Sequence, residues 1–143
     1  MKRLAGFLCA LAALPAWGQA RGYAFDDPAL FARQLAWGVV HGVRLLGRAC
    51  FERGDAAAAA AYADWLDREM PVIRATEREL ARRYFDRDTA SPDALAAVLN
   101  LRPSLETPAA ELAAACATLP EALASPRYRL DRFIAEKERE GIK

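Results

Sequence analysis

Apolar residues in this chain recur three and four positions apart, and no stretch shows the strict alternation of a half-buried strand. The segments carrying this period are set off by repeated punctuation. Four times a capping residue directly precedes a proline: Asp27-Pro28, Ser91-Pro92, Thr107-Pro108 and Ser125-Pro126. Ser, Thr and Asp side chains accept from the free amides of a first helical turn, and proline suits that turn because its missing N–H has no partner to lose. Each pair therefore predicts a helix start.

The predicted elements follow. A first helix spans about 28–53 and stops at Gly54. Asp55 caps a second, which runs through an alanine-rich stretch to about residue 69, where Met70-Pro71 kinks or ends it. A third segment, 71–85, carries Val72, Ile73, Thr76, Leu80 and Tyr84 at helical spacing. A loop at 86–90 leads to a short helix at 92–99. Another helix begins at Pro108 with Leu112, Ala115, Cys116 and Leu119. The last spans 126–140 and places Leu130, Phe133 and Ile134 on one side, with Tyr128 and Phe133 docking it on the rest. The fold class is all-α, a compact bundle of five to six helices joined by short loops. Between 43 and 71 the positions of Leu46-Gly47, Gly54-Asp55, Ala59 and Pro71 are similar in spacing to one tetratricopeptide unit. No second unit follows about 34 residues on, so the likeness implies a helical hairpin and not a solenoid.

The N-terminus changes how the rest is counted. Met1-Lys2-Arg3 is a positive start, 4–14 is an apolar run, and Pro15 is followed by small residues at Ala16, Gly18 and Ala20. That three-part order is a secretory signal peptide over 1–20, cleaved after 18 or 20, ahead of a single helical domain at 21–143. The run is too short to span a hydrocarbon core, which needs about 20 residues, so no membrane insertion is expected after cleavage. The expected location is periplasmic or secreted.

The full chain has 143 residues, 54% of them hydrophobic and 27% charged, and a formal charge of +1. This suits one globular domain. Without Lys2 and Arg3 the balance becomes 18 basic against 19 acidic residues, and no basic block remains. A nucleic-acid partner is not expected. Cys9 leaves with the leader, and Cys50 and Cys116 remain. In an oxidising compartment an even pair predicts one disulfide. The alternative is two reduced buried thiols. One histidine and two cysteines fall short of the four ligands of structural zinc, so no metal or other cofactor is expected.

The only histidine, His41, lies nine residues before Cys50. On a continuous helix nine residues are about 900° of rotation and about 13.5 Å of rise, so the two side chains point in opposite directions. A general base must reach its partner at about 2.6–3.2 Å, and this spacing argues against a thiol–imidazole dyad. Cys50 shares its face with Ala32, Leu35, Val39, Val43 and Leu46, the expected core stripe. His41 shares the other face with Trp37, Arg44 and Arg48. Exposed Trp and Arg are favoured interface anchors, so these four residues form the candidate partner surface. The bland reading is a helix face on which Trp37 packs and the arginines are solvated.

Two further features carry weight. Gly38, Gly42 and Gly47 lie within the first helix, each costing about 1 kcal/mol against alanine. Three such residues point to close packing, or to the approach of a partner or ligand. The charged stretch holding Asp64, Asp67, Arg68 and Glu69, continued by Glu77, Arg78 and Glu79, reads as a solvated face with Asp64–Arg68 and Glu79–Arg83 as local pairs, not as catalytic carboxylates.

No GxSxG, no HExxH and no Gly-rich phosphate loop occurs. The expected function is therefore non-enzymatic: an exported protein-interaction module such as an inhibitor, immunity or accessory protein, with a protein partner. The alternative is a small-ligand carrier with a cavity lined by Trp37, Tyr62, Trp65 and Phe85. A hydrolase has the least support.

Overall fold

The computed structural model describes residues 22–141. The leader assigned to 1–20 lies outside the described residues. Among those described there are five α-helices and no strand: α1 (Pro28–Glu52), α2 (Ala56–Phe85), α3 (Pro92–Val98), α4 (Ala109–Ala124) and α5 (Leu130–Gly141). None of them is long and apolar enough to cross a membrane.

Local chemistry sets the first boundaries as expected. The Asp27 carboxylate accepts the Leu30 amide at 3.0 Å, with Pro28 in the first turn. Gly54, at φ +81°, reverses the chain just past α1. Asp55 then accepts the Ala58 amide at 3.0 Å and starts α2. This tight connection folds α1 and α2 into a hairpin. The Ser91 hydroxyl accepts the Ala94 amide and starts α3.

Elsewhere tertiary contacts override the local signals. The two segments expected at 56–69 and 71–85 are one 30-residue helix, with Pro71 inside it. Proline removes one backbone donor and leaves the carbonyl four residues back, that of Asp67, without its usual partner. Asp67 is exposed, while Trp65, Glu69, Ile73 and Thr76 on both sides of Pro71 are buried and hold the axis. Thr107 makes no side-chain cap, and α4 starts from Pro108, whose carbonyl accepts the Leu112 amide. Ser125 closes α4 instead of opening the last helix, its hydroxyl donating to the Ala122 carbonyl at 2.7 Å. Pro126–Tyr128 form a single 3₁₀ turn, and α5 begins only at Leu130.

The core explains the architecture. α1 packs against every other helix, and its N-terminal half meets α5 through Ala32 and Ala36 against Ile134. The main cluster joins Trp37, Val40 and Cys50 of α1 to Trp65, Ile73 and Leu80 of α2, Leu95 of α3, Cys116 and Leu123 of α4, and Leu130. Cys50 and Cys116 are fully buried and bonded, with Cα atoms 5.6 Å apart and a sequence separation of 66. The disulfide expected from the cysteine count thus fastens the last turn of α1 to the middle of α4.

A second set of ties holds the chain ahead of α1. The buried Gln34 side chain accepts the Ala24 amide at 2.8 Å and donates to the Tyr84 hydroxyl, which in turn donates to the Gly22 carbonyl at 2.7 Å. Burial pushes the Tyr84 phenol above its usual value, against the opposing effects of the Gln34 hydrogen bond and the Arg83 charge.

Candidate functional site

The four residues expected to form a partner surface are placed in four different environments. Trp37 is fully buried. The Arg44 guanidinium lies over its ring, 5.1 Å from the centroid, and pairs with Glu77 of α2 at 3.2 Å. The ring nitrogen Nε2 of His41 bonds the Arg102 carbonyl at 2.6 Å and so holds the connection between α3 and α4. Arg48 is exposed. The structure does not bring them into one exposed patch, because Trp37 is in the core, Arg44 is tied to α2 and His41 to the 99–102 segment, which leaves only Arg48 free of cover. Two carboxylates of α2 pair with α1, Glu79 with Arg33 at 2.6 Å and Glu77 with Arg44, and not at the local spacings expected for Asp64–Arg68 and Glu79–Arg83. Trp37 and Trp65, expected to line a cavity, are core residues.

The glycines of α1 divide into two kinds. A Cβ on Gly47 would fall 2.6 Å from a ring carbon of Tyr62, so this glycine is required by the α1–α2 approach. Tyr62 itself is half-buried, and burial raises its phenol while Arg44 and Arg48 pull it the other way. Gly38 and Gly42 are different: a Cβ on either would meet nothing within 4 Å. Internal packing does not account for them. They form the floor of a groove of about 300 Å³ along α1.

The walls come from distant parts of the chain. Val39, Val43 and Leu46 of α1 flank the floor; Leu119 of α4, Tyr128 of the 3₁₀ turn and Phe133 of α5 face them, with Arg127 at the edge. The far wall is fixed by three bonds from α2. The Trp65 indole donates to the Tyr128 carbonyl at 2.9 Å, Arg68 donates to the Leu123 carbonyl at 2.9 Å, and the Glu69 carboxylate accepts the Leu130 amide at 3.0 Å. Glu69 is buried and also pairs with Arg68 at 2.8 Å and Arg129 at 3.3 Å. The alanine-rich α2 thereby positions a surface that it does not itself line.

Beyond Arg127 and Phe133 the groove opens onto a basic shelf with Arg132 and Arg139. Lys137 on this shelf is already engaged, over the Phe133 ring and paired with Glu140 at 2.7 Å. Arg127, Arg132 and Arg139 make no ion pair among the described residues. The polar side chains at the groove are Arg127 and Tyr128, and no group of three or more His, Cys, Asp and Glu comes together among the described residues. What this site offers is apolar area, bare helix backbone and positive charge, which is chemistry for binding.

No known protein family, curated protein or solved structure matches this chain. The site therefore rests on its own geometry. In the sequence Val39 and Leu46 fall on the expected core stripe and Phe133 on the docking side of the last helix; the signal that points to the groove is the four-residue spacing of Gly38 and Gly42.

Proposed function

We propose that this protein is an exported protein-interaction module that receives a helical segment at the groove over Gly38 and Gly42. The supporting observation is the pair of glycines whose Cβ positions face open space. Each weakens α1 by about 1 kcal/mol relative to alanine, and nothing inside the fold uses the room that it leaves. Bare backbone on two successive turns allows another helix to approach closely enough for Cα–H···O contact. The floor from Gly38 to Leu46 is about 12 Å long, a little over two helical turns.

Inhibitor, immunity and accessory proteins are the roles consistent with this reading and with the leader-like segment at 1–20. The test is site-specific photo-crosslinking in the exporting cell. A photoreactive residue at position 42 is expected to capture a protein, and Gly38→Leu in the same chain is expected to suppress capture. A reagent at exposed Arg48 serves as the comparison. The reading fails if position 42 captures no protein, and a small molecule retained in native mass spectrometry would favour a ligand carrier in its place.

A further inference from the structure

The partner that fits this groove has a describable chemistry, and the chain itself carries it. We infer that the occupant is the outward face of α2 from a second copy of this protein; this rests on reading the groove as a protein-docking surface. Two observations carry the inference. The first is shape: Ala56, Ala60 and Ala63 are exposed on α2 at spacings of four and three, a smooth ridge that a groove floored by Gly38 and Gly42 admits at short interaxial distance. The second is charge: Asp64 and Asp67 continue that ridge, both exposed and neither in an ion pair among the described residues. At the open end of the groove stand Arg127 and Arg132, also exposed and also unpaired there. Complementary charges at one end of an apolar contact set its direction.

The contact must be intermolecular. Tyr62 seated on Gly47 locks α2 against α1, so α2 cannot turn its opposite face into the groove of its own chain. Because the two surfaces differ, the contact is heterologous, and it closes only where two copies exchange α2 faces or a ring forms. α4 presents another exposed alanine row, Ala110, Ala114 and Ala117, but it ends on a single carboxylate, Glu121, and so matches the paired arginines less well.

The experiment is sedimentation of the purified exported protein over a concentration series, read with charge-swapped variants. Wild type is expected to show a mass rising with concentration above that of one chain, less so at high salt. Asp64→Lys with Asp67→Lys, and separately Arg127→Asp with Arg132→Asp, are each expected to shift association at least tenfold to higher concentration. Mixing the two variants is expected to restore it, because each supplies the surface the other lacks. Glu121→Lys is expected to leave association unchanged. All the substituted positions are exposed, and circular dichroism checks that the helices persist. A wild type monomeric to about millimolar concentration overturns the inference, as does a mixture that fails to associate or a loss caused by Glu121→Lys. Crosslinking from position 42 separates the two readings: capture of a different protein and not of a second copy overturns this inference while the docking function stands, whereas no capture removes both.

Discussion

The Glu69 carboxylate caps a helix that starts 61 residues away, its Oε2 accepting the Leu130 amide at 3.0 Å. The role usually held by a Ser or Asp just ahead of a helix is here held by a side chain from the middle of α2. The same carboxylate pairs with Arg68 and Arg129, so one buried group joins α2, α5 and the turn between α4 and α5.

Replacing Glu69 tests this joint. Arg68 and Arg129 are 38% and 43% exposed, but the Nε of Arg129 is itself buried, so removing the carboxylate strands that atom together with the Leu130 amide and leaves a space. Glu69→Ala is expected to lower stability by about 2–3 kcal/mol. Glu69→Gln keeps an acceptor for the amide and is expected to cost about 1 kcal/mol. Urea unfolding midpoints at constant slope measure both.

The Cys50–Cys116 bond closes a 66-residue loop. The chain-entropy treatment assigns about 4 kcal/mol to a loop of this size, an upper figure where the reduced chain keeps structure. Reductant is expected to lower the unfolding midpoint of the wild type accordingly. A Cys50→Ala, Cys116→Ala variant should start lower and respond to reductant not at all; an unchanged midpoint in the reduced wild type would contradict the bond's stabilising role.

The three glycines of α1 are expected to answer alanine differently. Gly42→Ala and Gly38→Ala meet open space and remove backbone freedom from the unfolded chain, so each should raise stability by about 0.5–1 kcal/mol. Gly47→Ala drives a methyl into the Tyr62 ring and should lower it by about 1–3 kcal/mol. Thermal unfolding of the three single variants gives the signs directly.

Alkaline pH probes the ties made by tyrosine. Burial raises the phenols of Tyr62 and Tyr84 above the usual value of about 10. Between the unfolded and folded values the folded chain holds more protons, so stability falls as pH rises through that window. For Tyr84 the ionised form also loses its donation to the Gly22 carbonyl. Stability measured from pH 8 to pH 11 is expected to fall less steeply in Tyr84→Phe and Tyr62→Phe than in the wild type; identical slopes would count against the two phenols as the source.

Sequence alone determined what lies within a few residues of its own cause. The helical class follows from the three-and-four spacing of apolar positions. The starts of α1, α2 and α3 follow from Asp27, Asp55 and Ser91, each bonding an amide three residues on. The Cys50–Cys116 bond is the expectation once Cys9 is assigned to the leader, which leaves two thiols to pair or to stay reduced. Tertiary structure decided the rest, because the deciding contacts span tens of residues. Pro71 sits inside one continuous helix because buried groups on either side hold it straight. The last helix begins at Leu130 because Glu69 waits there and Ser125 is spent on α4. Trp37 is buried because α1 is central and covered on the side that looked like surface. Gly38 and Gly42 are indistinguishable from Gly47 in the sequence, and only the position of Tyr62 shows which glycine is filled and which two lie open.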